Sequence, residues 1–440
     1  LKWIHQLRKI HPLVGYSGHE RGINISLAAA AMDACVVERH FTLDRNMEGP
    51  DHAASLTNVE FKRMIEGIRE IEEALGEGKE RQISQGEMIN RENLGKSLVA
   101  SKSILKGVVL GPEHIKVCSP GQGLSPQRYE ELLGRILQHD MDEEDFFYPS
   151  DLLDNRIEPR HYNFTRPWGV PVRYHDFTDY AERIQPDLWE FHLSYSDMEL
   201  DPAKFLDGPY EADFVVHAPE LFTGSRLMDL ATPDDKYRNE SICETQRVIN
   251  ITRNLKRFFP RTKRPQIVAN IGGFTMDSPL PHSAIQGYYE RFAQSLKELD
   301  MEGVELIPQT MAPFPWHFGG QRYQNIFLKI DDIVEWCNKL NLRMCFDVSH
   351  SRLACNHLGY DFYDFCKKIA PFTAHLHLGD AMGLNGEGLQ VGEGEIDFAR
   401  LGGILKKGCP KATFIPEIWQ GHKNGGEGFW VAMERLEETI

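Results

Sequence analysis

The sequence predicts an α/β protein whose C-terminal part is a complete (β/α)8 barrel. Two observations carry this. Beyond about residue 160, strand-like runs alternate with helical segments, the strands at Val170 to Tyr174, Leu188 to Leu193, Phe214 to His217, Gln266 to Asn270, Gly303 to Ile307, Arg343 to Asp347, Phe372 to Leu378 and Thr413 to Ile418. Ile330 to Leu340 and Tyr360 to Ile369 are among the helices. Eight such units fit a fold of about 250 residues. The later runs also end in metal-binding side chains: His217, Gln309, Asp347 with His350, His375 and His377 with Asp380, and Glu417. Barrel enzymes keep their catalytic groups at the C-terminal strand ends. Imidazole, carboxylate and amide oxygen converging on one axis suit a divalent ion with positions left for a sugar's oxygens.

The elements before the barrel are shorter. Residues 1 to 75 read as two strand-helix units, Pro12 to Tyr16 with Ile23 to Met32, and Ala34 to Val37 with Thr57 to Leu75. The last helix has a Thr57/Glu60 capping box, apolar residues at helical spacing from Phe61 to Leu75, and Gly76 to end it. Residues 77 to 97 are polar without periodicity and are expected to be a linker. Ser97 to Arg135 forms a compact piece with a turn at Lys106-Gly107 and a short helix capped by Ser125 before Pro126. It is too small for a large core and should pack on something else. The acidic run Asp140 to Asp145 marks a second boundary.

Composition narrows the function. A formal charge of -16 argues against non-specific affinity for nucleic acid or anionic membranes. The apolar stretches fall short of the roughly 20 residues that a membrane helix needs. The eight cysteines have no paired spacing, which favours a reduced, cytoplasmic compartment and burial of each one.

Residues 165 to 440 resemble the xylose-isomerase-like family of sugar isomerases and epimerases. The resemblance rests on His217-Ala218-Pro219, Met311-Ala312-Pro313-Phe314-Pro315-Trp316 with Gly319-Gly320, Asp347-Val348-Ser349-His350, His377-Leu378-Gly379-Asp380, Gly392 to Phe398 and Pro416-Glu417-Ile418. It implies a divalent ion (Mn2+, Co2+ or Zn2+) on Gln309, Asp347, His377 and Glu417. Glu417 and His350 would be catalytic, and His217 and His350 would contact substrate. Gln309 departs from the family, which usually has Glu there. An uncharged amide holds the ion more weakly and cannot serve as the second base of an epimerase. A non-catalytic sugar-binding or scaffold barrel is the alternative. A DNA-repair endonuclease of the same superfamily is disfavoured, because the positions of its extra ligands hold Asn270, Gly386 and Gly388.

Residues 10 to 76 are similar to the last two strand-helix units of the sialic acid synthase family, through His19, Glu38-Arg39-His40-Phe41-Thr42-Leu43 and Gly49-Pro50-Asp51-His52. The similarity implies that His19 and His40 bind Mn2+ or Mg2+, that Glu38 and Asp51 contact the sugar, and that Asp51 also acts in catalysis. Residues 90 to 135 look like the antifreeze-like domain of these synthases, with Ser119 where relatives have a substrate-contacting arginine. The implied reaction condenses phosphoenolpyruvate with an N-acyl sugar in nonulosonic acid biosynthesis, in a homodimer built through these two segments. The expected layout is a synthase-barrel end at 1–76, a linker and antifreeze-like domain at 77–140, and the second barrel at 160–440. Two of eight units cannot close a barrel. The chain, which starts at Leu1, is therefore expected to be cut from a longer polypeptide, with an exposed apolar face on residues 1 to 75 and no synthase activity of its own.

Overall fold

The computed structural model describes residues 1–76, 78, 85–153, 156–276, 278–315 and 322–440. Trp316, Gly319 and Gly320 of the quoted motif lie outside the described residues, as do most of residues 77–84. The chain divides into two compact units, Leu1–Gln82 and Ile83–Ile440.

In the first unit, β1 (Gly15–Gly18) and β2 (Val36–Arg39) pair in parallel, and helices α1 (Trp3–Arg8), α2 (Asn24–Ala31) and α3 (Asn58–Leu75) accompany them. The Glu60 carboxylate accepts from the Thr57 N–H at 3.0 Å, so the expected cap forms. Gly67 lets α3 approach α2 closely, since a Cβ there would stand 2.9 Å from Leu27 Cδ2. One small buried cluster holds Ile4, Val14 and Ala29, and Leu56 and Met64 are buried besides, while Trp3, Ile10, Leu13, Val36, Phe41 and Leu43 are exposed. The expected exposed apolar face is present.

The second unit opens with α4 (Gln85–Leu94), inside the stretch expected to be a linker. The correction has a physical cause. An Arg91–Glu87 pair at 3.2 Å supports the helix at i,i+4 spacing, and α4 is held by tertiary contacts that periodicity cannot reveal. β3 (Ser97–Ala100) and β4 (Ile115–Cys118) then pair antiparallel, and Gly107 turns with φ of 89°. Ser125 accepts from the Gln127 N–H, and one turn of 3-10 helix leads into α5 (Tyr129–Leu132). This piece has its own small core, from Leu98 and Leu132 to Phe147 and Leu152.

The eight expected barrel strands all form: β5 (Gly169–Val172), β6 (Leu188–His192), β7 (Asp213–His217), β8 (Gln266–Ala269), β9 (Glu305–Pro308), β10 (Met344–Asp347), β11 (Thr373–Leu378) and β12 (Thr413–Pro416). β5 to β9 make one parallel sheet and β10 to β12 another. The parallel bridges Trp168–Phe414 and Gln309–Cys345 join them at both seams. Helices α6 (Phe177–Arg183), α7 (Asp235–Leu255), α8 (His282–Glu298), α9 (Ile330–Leu340), α10 (Val348–Leu358), α11 (Phe362–Ile369), α12 (Phe398–Gly408) and α13 (Lys423–Glu437) follow their strands. Between β6 and β7 the described residues hold only two short 3-10 turns, so the alternation is incomplete there.

Strand alternation explains where the site sits. Leu188, Val215, Val268, Ile307, Cys345 and Ile415 belong to one buried apolar cluster. Each stands two residues before Glu190, His217, Asn270, Gln309, Asp347 or Glu417, and residues two apart share a face. An apolar layer therefore underlies the polar one. The intervening residues, among them Trp189, Phe191, Phe214, Val216, Ile267 and Phe414, pack outward against the helices. Burying an aromatic such as Phe191 contributes roughly 1.5–3 kcal/mol.

Candidate metal centre at the barrel mouth

His377 organises the site. Its Nδ1 lies 2.7 Å from Glu417 Oε2, 3.3 Å from Gln309 Nε2 and 3.9 Å from Asp347 Oδ2. On the other side of the ring, Nε2 lies 3.0 Å from Glu190 Oε1. Carboxylates only accept, so the ring donates from both nitrogens, to Glu190 through Nε2 and to Glu417 through Nδ1, and Glu190 orients it as an acidic partner does for a metal-ligating histidine. Glu190 Oε2 accepts in the same way from His375 Nε2 at 2.5 Å, and His375 Nδ1 meets Thr413 Oγ1 at 2.6 Å. Glu190, His375 and His377 are fully buried.

The neighbours are equally constrained. Asp347 ends β10 and caps α10, its Oδ1 accepting from the His350 N–H at 2.8 Å while Oδ2 accepts from Gln309 Nε2 at 2.9 Å. Gln309 Oε1 faces His217 Nε2 at 3.3 Å. His217 stacks on His192 with ring centroids 4.8 Å apart. His350 contacts Glu387 Oε1 through Nε2 at 3.2 Å and the Thr310 carbonyl through Nδ1 at 3.0 Å.

Burial and charge set the ionisation. Burial pushes Asp347 up to about 7 and Glu220 up to about 8. His217 falls to about 4 through burial and the nearby His192. Burial alone would lower His350, but Asp347 and Glu387 lift it to about 10. For Glu417 burial acts upward and is outweighed by His377, which holds the carboxylate well below its usual range. Burial likewise opposes ionisation of Glu190, and His377 and His375 overcome it.

The donor chemistry fits a divalent ion at Asp347, His377 and Glu417. Ligand atoms of His217, His377 and Glu417 lie within 4.8 Å of one another. Gln309 is less well disposed, since it turns its nitrogen to Asp347 and its oxygen to His217. All six residues expected from the sequence at this site come together. Asp380 does not join them: its carboxylate accepts from the N–H groups of Ala381, Gly392, Gly394 and Ile396 and shapes their loop. Glu190, His192, Glu220 and Glu387 were not anticipated. An acidic residue within the apolar run Leu188 to Leu193 was the available signal for Glu190.

In the first unit, the His19 and His40 rings lie 4.7 Å apart between centroids, and His40 Nδ1 stands 3.8 Å from Asp51 Oδ1. Glu38 accepts from Ser17 Oγ at 2.9 Å across the β1–β2 pair. His19, His40 and Asp51 are thus neighbours. The eight cysteines are free, and Cys35 and Cys243 are exposed, which corrects the expectation that each is buried. No described helix is long and apolar enough to cross a membrane.

Comparison with known proteins gives three family matches: the NeuB family over residues 1–80, the SAF domain over 95–153, and the xylose isomerase-like TIM barrel over 179–438. Among curated relatives, N,N'-diacetyllegionaminic acid synthase of Campylobacter jejuni is 48% identical over 137 residues, 31% of this chain and 41% of the relative. N-acetylneuraminate-9-phosphate synthase of Homo sapiens is 39% identical over 159 residues, 35% of this chain and 44% of the relative. The chain thus spans about two-fifths of the length of the curated relatives it matches. Among solved structures, a D-tagatose 3-epimerase-like protein aligns with a TM-score of 0.44 at 19% identity, over 62% of this chain and 98% of that one. An L-ribulose 3-epimerase aligns with a TM-score of 0.43 at 12% identity, over 62% and 95%.

Proposed function

The chain belongs to the xylose isomerase-like TIM barrel family, and on that premise we propose that residues 160–440 are a metal-dependent sugar isomerase. The observation that carries this reading is the convergence of Asp347, Glu417 and Gln309 on His377 Nδ1, with Nε2 held by Glu190. Asp347, His377 and Glu417 would hold the ion, with Gln309 as a weaker fourth ligand through its amide oxygen. When bound, Mn2+, Co2+ or Zn2+ polarises the sugar's carbonyl and hydroxyl oxygens. His217 and His350 then orient those oxygens. Glu417, ionised beside His377, would take the proton from the carbon next to the carbonyl and return it to the former carbonyl carbon, while the hydroxyl proton passes from the neighbouring oxygen to the former carbonyl oxygen. Because Gln309 cannot accept a proton, both transfers use one face of the sugar. That favours aldose–ketose isomerisation over two-base epimerisation.

The test is metal content together with exchange of sugar protons in deuterated water. The full chain should retain about one divalent ion, and Glu417→Gln should hold it more weakly and lose exchange even when saturated with Mn2+. A chain that retains no divalent ion, with Asp347→Asn and Glu417→Gln indistinguishable from wild type, would refute the enzyme reading. It would leave a sugar-binding module, which the neutral Gln309 also suits.

Residues 1–153 carry NeuB and SAF domains, and their curated relatives are nonulosonic acid synthases. We assign 1–76 to the last two strand-helix units of a synthase barrel, and the antifreeze-like domain to residues 95–153, with α4 leading into it. Within a longer protein, His19 and His40 would hold Mn2+ or Mg2+, and Glu38 and Asp51 would meet the N-acyl sugar that condenses with phosphoenolpyruvate. A homodimer through these segments and a cytoplasmic location complete the proposal. Failure of the longer protein to form product with any N-acyl sugar would sink it.

A further inference from the structure

The cavity at the barrel mouth, about 980 Å3, is lined on one side by residues from outside the barrel, Ile89 and Glu92 of α4. Glu92 Oε1 lies 2.7 Å from Lys423 Nζ, and the two side chains are only 20% and 15% exposed. Lys423 also donates to the Gln122 carbonyl at 3.3 Å and to Gln420 Oε1 at 2.9 Å. Nearby, Ser150 Oγ donates to Glu427 Oε2 at 2.9 Å, and Asn424 Nδ2 donates to the same oxygen at 2.6 Å. Arg156 donates to Asn424 Oδ1 at 2.8 Å.

These contacts converge on one segment, the stretch from Glu417 into the first turn of α13. It supplies Trp419, Gln420 and His422 to the cavity as well as Glu417. Gln420 and Asn424 have φ of 58° and 52°, a left-handed conformation that costs a non-glycine residue energy and persists only where surroundings enforce it. The surroundings here include Glu92, Gln122, Ser150 and Arg156. The Glu92–Lys423 pair is largely desolvated, so removing either partner leaves an uncompensated charge at this contact.

We propose that the antifreeze-like segment with α4 is a working wall of the barrel's own site, docked within the same chain. Glu92 and Ser150 hold the Glu417–Glu427 segment in place, and Ile89 and Glu92 face the bound ligand. The part played by Glu417 rests on the ion-site reading above. The docking does not.

The test uses the full chain, hydrogen exchange across 417–428 and titration with Mn2+ alone. Lys423→Met combined with Ser150→Ala should speed exchange in that segment about tenfold. It should raise the Mn2+ dissociation constant about threefold to tenfold, as loosened support of a ligand does. Lys423→Arg should keep both close to wild type. Glu92→Gln lies outside the barrel and preserves side-chain size, so it serves if the double variant misfolds, and it should speed exchange in the same segment. Wild-type exchange there in a folded variant overturns the proposal. Faster exchange with unchanged Mn2+ affinity overturns the hold on Glu417. A wild-type chain that binds no Mn2+ overturns the ion reading instead, and exchange still decides the docking.

Discussion

Replacing Glu190 by Gln is the sharpest probe of the barrel site, because it exchanges one carboxylate oxygen for an NH2 group and leaves the volume nearly intact. The carboxylate accepts from His377 Nε2 at 3.0 Å and from His375 Nε2 at 2.5 Å, in a fully buried place. A glutamine has one accepting oxygen, and its NH2 group must face the other histidine. Two donors then oppose each other, so one histidine must carry its proton on Nδ1 alone or lose its partner. If His377 does so, the nitrogen facing Asp347 and Glu417 has no lone pair to offer an ion. Losing the carboxylate that orients a ligating histidine typically costs 10- to 100-fold in metal affinity, or about 1.4–2.8 kcal/mol. An unsatisfied buried group also destabilises the fold by about 1–3 kcal/mol. Calorimetric titration with Mn2+ reads the first quantity and urea unfolding the second. A Glu190→Gln chain with Mn2+ affinity within twofold of wild type would refute the reasoning.

Two further changes follow from the same structure. Gln309→Glu adds a charged ligand beside Asp347 and should tighten Mn2+ binding about tenfold, since ligand charge tunes the affinity of oxygen sites. Calorimetry that shows equal or weaker binding would place Gln309 outside the ion's coordination. In the antifreeze-like segment, His139 Nε2 lies 2.8 Å from Asp151 Oδ1, and that hydrogen bond raises the imidazole above its ordinary range. The stability it provides is complete below about pH 6.5 and is lost as pH rises through the raised value. The urea midpoint should therefore fall as pH rises above about 6.5, and Asp151→Asn should flatten the fall. An identical pH profile in both chains would remove the pair from the account.

Much of the barrel was legible in residue order. Strand and helix periodicity are local properties, and each of the eight runs formed within a few residues of its expected place. The ligand-rich strand ends were legible for the same reason, because position two beyond an inward apolar residue points inward again. Glu190 was not. It lies 185 residues before His375 and 187 before His377, and only closure of the ring puts one carboxylate between the two imidazoles. Asp380 misled in the opposite direction, since its sequence context resembles a ligand while the fold turns it toward four backbone N–H groups. α4 was missed because its polar sequence has a weak periodicity and its place is set by Lys423, more than 300 residues further on.

The sequence by itself thus determined the alternation of strands and helices, the layer of side chains that faces the barrel axis, and the synthase motifs around His19, His40 and Asp51. Tertiary structure alone decided which polar groups pair, which nitrogen of His377 faces Asp347 and Glu417, and which outside segment walls the site. The physical reason is one of range. Burial patterns are written every two or four residues, whereas hydrogen bonds between buried charges depend on elements that meet only when the chain has folded.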